Sequence, residues 1–575
     1  MSSGILNKIE KSSNKTNGKS KLIVGNVRSR FIGKIDRKTI NKIDKKLSYM
    51  IQGAFFSEAY REGVWDGRIR LFSKRTNSFP TGFVSNVIKI LDTNKIKHIV
   101  IDKRKKIEID DKTLDYAMNS LHNFVPRKYQ KRAVEEFIKS LMGVINLPTG
   151  SGKTAVMAMI IRVIDTVTNN NEKHLIVTHG TSLLSQLRKS LSTLLGEEIG
   201  YIAESKWIEK RITVASIDSL HSFLSGLDKI KFKKTRNVEE EKRRELKLKK
   251  KKTETLLRSV IGVYSDEAHM SPAKTFRTVL NKCTNAYVRF GCTATYDRSG
   301  GDKMMLKAVT GKIIYKKSLS WMIENGYLAR PVIILIEFGR KTDIHAKDWH
   351  DQYSSGISAN DKRNLLITSI SKILIENNLS SVLFVTHKNQ GSFLYKNILV
   401  HSKDTAYLIG EDNQKTVRKP TLNAFRNGRI RTIICTRILN LGIDFPEANA
   451  GIKCGGQKYG GNTTQQLGRI LRKYKEKGKL DVNRKEEQIV FWLDICDMHD
   501  QKLAEHSLER IKVYESEPAF NVNYANDIEE VRRIINANIK KTKIIKHKEN
   551  TSQEKRKQKK INEMETNEKC GTSTT

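Results

Sequence analysis

The sequence predicts an α/β protein with two tandem parallel sheets flanked by helices, a small α+β unit ahead of them and a basic tail behind. Two observations carry that class. Short β-rich runs alternate with helical stretches through residues 116–300, as GVINL, KHLIVT, ITVAS, VIGVYS and AYVRFG. The rhythm returns over 330–495 in PVIILIEF, SVLFVT, TAYLI, RTIICT and QIVFWLDI. Strands that alternate with helices pair in parallel, because each crossover needs an element to carry the chain back. A third observation is NLPTGSGKT at residues 146–154, a glycine-rich loop between the first of those strands and a helical run.

Taken in order, residues 1–20 are polar and lysine-rich and read as a disordered basic N-terminus. Residues 21–115 form the small unit. Ile40, Ile43, Leu47 and Ile51 follow helical spacing behind an Asp36 cap. In REGVWDGRIRLF, Asp66-Gly67 is a type I′ turn signal between two strand-like runs, with Trp65 read as core packing. The first lobe then runs over 116–325 and the second over 326–515. Residues 231–258, KFKKTRNVEEEKRRELKLKKKKTETLLR, are almost wholly charged and read as an exposed helical insertion without an apolar face. Residues 516–575 are expected to be a helical extension followed by a basic, low-complexity, disordered tail containing KHKEN and QEKRKQKK.

Composition narrows the function classes. The 575 residues carry 106 Lys and Arg against 62 Asp and Glu, a net charge of +44 that favours a polyanionic partner. AT-rich coding, which swells Lys, Asn and Ile, is the competing account of that excess. Six cysteines at 283, 292, 435, 454, 496 and 570 form no CxxC pair, which fits free thiols in a reducing compartment. No apolar run is long enough to span a bilayer and the N-terminal stretch lacks a secretory core, so a soluble, cytoplasmic protein with no membrane partner is expected.

The loop at 146–154 has the context of a phosphate cradle: strand, glycine-rich turn, helix. In Thr149-Gly150-Ser151-Gly152, the glycines let backbone N–H groups turn toward phosphate oxygens, and the following helix N-terminus adds partial positive charge. Lys153 is placed to reach the β- and γ-phosphates of a nucleotide and Thr154 to ligate Mg2+. Leu147 stands where the strict pattern has glycine, but at the strand end rather than the bend, so it need not obstruct. A cradle needs a metal-binding acid on a neighbouring strand, and VIGVYSDEAHM delivers Asp266 and Glu267 to a strand's C-terminal edge. Asp266 would hold Mg2+ through water, while Glu267 would orient or deprotonate the attacking water.

PTGSGKT, SDEAH, the CTAT of 292–295 and the QQLGRILR of 465–472 stand in the order and spacing of superfamily 2 helicases and translocases, which the chain resembles over about residues 120–515. The resemblance implies two RecA-like domains and an ATP-driven motor. It also implies that FVPRKYQ reads adenine through Gln130 with support from Arg127, so that ATP is preferred, and that Thr293 and Thr295 couple hydrolysis to domain movement. Gln465, Arg469 and Arg472 are spaced by four and three, which puts them on one helix face, with the two arginines as fingers on the γ-phosphate. Gly442 and Asp444 match the motif that also touches the nucleotide. Thr178, Ser216, Thr386 and Thr436 stand where strands end and would grip nucleic-acid phosphates without reading sequence.

The segment REGVWDGRIRLFSKRTNSFPTGF ahead of the motor, GYLARP at 326–331 and LDICDMHDQKLAEHSLERIKVY behind it resemble phage branch-migration helicases of the UvsW type. That likeness implies DNA as partner, branched or duplex, with Arg68 and Arg70 of the N-terminal unit, and Lys74 and Arg75 beside them, as phosphate contacts. A viral source, and so the host cytoplasm, follows from the same likeness and from the composition. The expected activity is ATP-dependent remodelling of branched DNA by a protein favoured as a monomer. An RNA-directed or transcript-release helicase is the alternative on the same motor. A non-catalytic DNA-binding module would not need Lys153, Asp266, Glu267, Gln465, Arg469 and Arg472 together. Asp494, Asp497, His499 and Asp500 tempt a metal reading, but are expected instead to cap the last strand.

Overall fold

A computed structural model describes residues 20–51, 53–204, 206–225, 236–268, 274–294, 300–339, 349–409, 414–436, 445–458, 461–472 and 489–541. The terminal tails, Thr295, Gly442 and Asp444, for which the sequence carries expectations, lie outside these residues. The chain divides into two compact units between Lys317 and Ser318, with loop residues Thr149–Ser151 grouped with the second.

The first unit opens with a four-stranded sheet in the order Ser78–Pro80, Arg28–Ile32, Ser20–Val24, His98–Asp102. Asp36 caps helix Arg37–Lys46 by accepting from the Thr39 backbone N–H at 2.8 Å, as the sequence predicts. The helix stops at Lys46, so Ile51 is not on its face; Ser48–Met50 is already a strand. The expected hairpin about Asp66-Gly67 does not form. Arg68–Arg70 pairs antiparallel with Ser48–Met50, and the intervening stretch coils into the short helices Ala54–Phe56 and Glu58–Arg61. Gly67 adopts a left-handed φ of +71°, but Asp66 does not, so the type I′ turn, which needs both, is not made.

Behind this lies an eight-stranded sheet in the order Lys206–Ile208, Gly200–Ala203, Ile212–Ser216, His174–Thr178, Gly262–Ser265, Val288–Thr293, Met142–Asn146, Ile313–Lys316. All neighbours are parallel except the pair at the Lys206–Ile208 edge. Every residue of the four central apolar strands is buried, because helices cover both faces. The charged insertion is a helix, Arg236–Ser259, but it is not solvated throughout. Leu256 and Leu257 join the core with Leu220, Phe276 and Val279, correcting the expectation of a helix without an apolar face.

The second unit is a seven-stranded, wholly parallel sheet in the order Thr405–Leu408, Thr432–Cys435, Ser381–Phe384, Ala450–Lys453, Ile489–Asp497, Arg330–Phe338, Asn521–Ala525. The last strand corrects the sequence reading. Residues after 516 do not begin as a helical extension; they complete this sheet, and helix 528–541 buries Val531 and Ile535 in its core.

Candidate nucleotide and nucleic-acid site

The glycine-rich loop leaves buried strand Met142–Asn146 and enters helix Lys153–Thr168. Leu147 is fully buried, and its N–H donates to the Thr293 carbonyl at 3.0 Å. The residue that departs from the strict pattern is therefore part of the core and does not face the cradle. Gly150 and Gly152 have φ of +84° and +80°, a region closed to most side chains. A Cβ at Gly152 would lie 2.5 Å from Nε2 of buried Gln130, so this position tolerates nothing larger than glycine. The Gln130 Oε1 accepts from the Arg127 N–H at 2.9 Å, and the Arg127 guanidinium donates to the Tyr129 hydroxyl at 3.3 Å. Gln130 thus packs at the N-terminus of the loop's own helix, and Arg127 is tied to it as the cap of helix Lys128–Ile138. The Lys153 ammonium donates to the carbonyls of Leu147 and Pro148, both at 3.4 Å, and Thr154 stands partly exposed in the first helical turn.

Asp266 and Glu267 follow strand Gly262–Ser265, with the Asp266 N–H held by the Val177 carbonyl at 3.0 Å. Burial raises the Asp266 carboxyl above its ordinary range; the Glu267 charge adds to this and Lys153 opposes it. The Cys292 thiol donates to Asp266 Oδ1 at 3.2 Å and is pushed well above its ordinary pKa, chiefly by burial. Glu267 holds φ at +51°, an uncommon conformation for a non-glycine residue and one that functional sites concentrate. Thr293 ends its strand beside Asn146, and Ser216 ends its strand beside Thr178. Thr178 is fully buried, and its hydroxyl has no hydrogen-bond partner among the described residues.

One sheet edge of the first unit thus presents, over adjacent strands, Ser216, Thr178, Asp266 with Glu267, Thr293 and the glycine-rich loop. At about 4.8 Å per strand, the line from Ser216 to the loop is roughly 19 Å.

In the second unit, Thr386 follows strand Ser381–Phe384 and accepts from the Tyr353 hydroxyl at 3.1 Å. Thr436 follows Thr432–Cys435, and its buried hydroxyl is unpartnered among the described residues. Gln465 and buried Arg469 lie on helix Gly461–Ile470. Arg472 does not share that helix, correcting the expectation of one common face. The chain turns extended after Ile470, where Leu471 accepts from the Ala329 N–H at 2.9 Å and Arg472 bridges Leu328.

Two buried ion pairs, which the sequence spacing does not announce, anchor this unit. Arg363 meets Asp497 at 2.6 Å and donates to the Cys454 carbonyl at 2.6 Å. Arg510 meets Asp494 at 2.9 Å, and Tyr514 donates to the same carboxylate at 2.8 Å. Asp500 caps helix Gln501–Glu515. These acids serve ion pairs and a cap, and among the described residues no group of three or more His, Cys, Asp and Glu is placed to hold a metal by itself. Lys453 is buried beside them, its ammonium 2.5 Å from the Gly455 carbonyl; burial, then Arg510, depresses its pKa to about 7.

In the N-terminal part, Arg70 is committed to Asp66, at 3.0 and 2.5 Å, and to Asp44 at 3.3 Å. Arg68 donates to Ser48, at 3.1 Å to its hydroxyl. Trp65 is half-buried, its ring N–H donating to the Arg68 carbonyl at 3.1 Å, and it lies outside the domain's apolar core cluster.

Comparison with known proteins completes the assignment. Residues 123–298 match the family described as type III restriction enzyme, res subunit, and residues 361–474 match the helicase conserved C-terminal domain. The DNA 3'-5' translocase XPB2 of Sulfurisphaera tokodaii is 24% identical over 469 residues, covering 73% of this chain and 92% of that protein. A variant of Saccharomyces cerevisiae Dbp5 bound to RNA and ADP BeF3 shares the fold, with a TM-score of 0.50 at 15% identity over 75% of this chain and 97% of that one. The chain is an ATP-dependent helicase of superfamily 2 with two RecA-like domains. Within that superfamily it resembles the ATP-dependent DNA helicase uvsW of Enterobacteria phage T4, 21% identical over 448 residues, 75% of this chain and 83% of that protein. As a helicase it uses a nucleotide and binds nucleic acid. Among the described residues, no helix is long and apolar enough to cross a membrane.

Proposed function

We propose that the chain is an ATP-dependent DNA translocase that remodels branched DNA: migrating junctions, reversing forks and dissociating D-loops or R-loops in phage-type replication and recombination. DNA as substrate is supported by the names of the two relatives that cover most of their own length, a DNA translocase and a DNA helicase. The observation that carries the reading is the shared edge of the first sheet. The loop and Asp266 sit a few strands from the hydroxyls of Thr178 and Ser216, so nucleotide and nucleic-acid backbone would be held along one rigid edge.

In this reading Lys153 binds the β- and γ-phosphates, with Thr149, Gly150, Ser151 and Gly152 as backbone donors. Gln130 and Arg127 take the adenine. Thr154 and Asp266 would hold Mg2+, which supplies neutralisation of phosphate charge when bound. The fit rests on the donor set: a hydroxyl in the first turn of helix Lys153–Thr168 and carboxylates that follow strand Gly262–Ser265 are hard oxygen ligands of the kind Mg2+ takes. Glu267 orients and deprotonates water. Arg469 and Arg472 stabilise charge on the γ-phosphate with Gln465, Thr293 and Thr295 couple hydrolysis to movement, and Gly442 and Asp444 touch the nucleotide. Thr178, Ser216, Thr386 and Thr436 hold the backbone. Arg68 and Arg70 are weaker phosphate candidates than the sequence suggests, because their guanidiniums already have partners.

A migration assay on a synthetic four-way DNA junction tests this. The full chain with ATP should convert the junction to duplex arms, while Lys153→Ala and Glu267→Gln bind it without converting it. An active ATPase that leaves junctions intact would remove branch remodelling from the account.

A further inference from the structure

The helix Arg236–Ser259 has a part that the fold uses and a part that it does not. Its C-terminal end is fixed: Thr253, Leu256 and Leu257 are buried, against helices Ile217–Ser225 and Lys274–Lys282. Three residues later strand Gly262–Ser265 begins, and the Ile261 N–H is held by the Lys173 carbonyl at 3.0 Å. Ser259 is thereby pinned near the N-terminal edge of the sheet. A helix in a parallel crossover runs back from the C-terminal edge. At 1.5 Å per residue, its 24 residues span about 36 Å. The strands beside it, Ile212–Ser216 and Gly262–Ser265, span only about 13–17 Å at 3.3 Å per residue. Roughly 20 Å of helix therefore extends past the edge that carries Thr178 and Ser216.

The burial pattern agrees. No side chain from Arg244 to Lys252 is buried, and Leu248 is 66% exposed. That stretch reads RELKLKKKK. Lys247 and Lys251, four residues apart, share the face turned away from Thr253 and Leu257. Among the described residues neither has a carboxylate partner, whereas Lys249 pairs with Glu245 at 2.5 Å and the Lys252 ammonium lies 4.9 Å from the Trp207 ring centre. A rigidly based cationic face whose two lysines have no carboxylate partner among the described residues complements a polyanion.

We propose that the projecting part of this helix is an arm that contacts the sugar-phosphate backbone of nucleic acid beyond the strand-end grip, through Lys247 and Lys251. The arm rests on the nucleic-acid-motor reading and extends it. Each phosphate neutralised on a duplex adds about 0.9 to the slope of log affinity against log salt. The arm contributes about two such contacts, independent of sequence.

The test is fluorescence anisotropy of a labelled four-way DNA junction over 0.05–0.3 M salt, with the full chain, Lys247→Gln/Lys251→Gln, and a charge-matched control, Lys362→Gln/Lys372→Gln, on exposed positions of helix Asp361–Glu376. The inward stripe is untouched, so the arm variant should melt at the wild-type temperature. The expected result is a slope lower by about 2 for the arm variant, with roughly tenfold or greater loss of affinity at 0.1 M salt, and little change for the control. Equal losses in both variants would reduce the arm to general charge and overturn it. Loss of binding to poly-glutamate alone, with the junction unaffected, would assign the face to an acidic protein. Absence of any salt-linked junction binding by the unmodified chain would sink the motor reading itself, a different failure.

Discussion

Lys153 rests on the carbonyls of Leu147 and Pro148, ready to exchange them for phosphate oxygens. Lys153→Ala should abolish ATP hydrolysis while nucleic-acid binding survives; equal loss of both, measured side by side, would contradict the assigned role. Gly152→Ala meets two obstacles at once, a left-handed φ and the Gln130 amide. It should weaken nucleotide binding about 5- to 150-fold by titration calorimetry, on the order of 1–3 kcal/mol of strain. Lys453 predicts a pH dependence. With its folded pKa near 7 and an unfolded value near 10.4, the unfolded chain binds the extra proton between those limits, so stability rises as pH rises through that window. Melting temperature should gain more from pH 7 to 9 in the wild type than in Lys453→Met; parallel curves would show that this lysine does not titrate there. Such residues were unequally legible. Lys153, Asp266 and Glu267 stand out because phosphate and metal chemistry demands fixed spacing on a strand-loop-helix. Cys292, which touches Asp266 from another strand, and Lys453 are visible only once the sheet has brought distant segments together.

At the scale of elements, continuous apolar runs gave the buried parallel strands away, since burial on both faces leaves no alternation to misread. The errors fall where that signal is absent. Asn521–Ala525 is an edge strand with a mixed burial pattern and no apolar run, and it is paired only because Arg330–Phe338 offers a free edge. The Asp66-Gly67 dipeptide signalled the left-handed Gly67 but neither a type I′ turn, which needs a positive φ at Asp66 as well, nor the partner strand, which tertiary packing chose. The arm helix looked fully solvated because its buried leucines, Leu256 and Leu257, fall together at its C-terminal end, while Leu248 is exposed. Buried ion pairs fix the elements of the second unit. Arg510→Met would leave Asp494 buried without its cation and should cost about 3–5 kcal/mol in urea unfolding. A change under 1 kcal/mol would show that Tyr514 alone satisfies the carboxylate.

Across the whole molecule, the N-terminal sheet is not a tethered accessory. Its core cluster includes Ala308 of helix Gly300–Thr310 in the first lobe, with Met304 packed against it. Lys307 donates to Asn86, Asn26 donates to the Thr284 carbonyl at 3.0 Å, and a Cβ at Gly82 would overlap the Lys307 carbonyl oxygen. Deleting residues 1–115 therefore strips apolar cover from the first lobe. The truncation should melt several degrees lower than the intact chain, and an unchanged melting temperature would show the two parts to be independent. The sequence marked this part by composition but could not show that it shares a core, since the contact joins residues more than two hundred positions apart. The central claim, a motor driven by branched DNA, is met most directly by ATPase rate against single-stranded DNA, duplex DNA, a four-way junction and RNA at one fixed salt concentration, because so basic a chain binds any polyanion when ions are scarce. Stimulation should be strongest by the junction. Strongest stimulation by RNA would contradict it and leave only the motor standing.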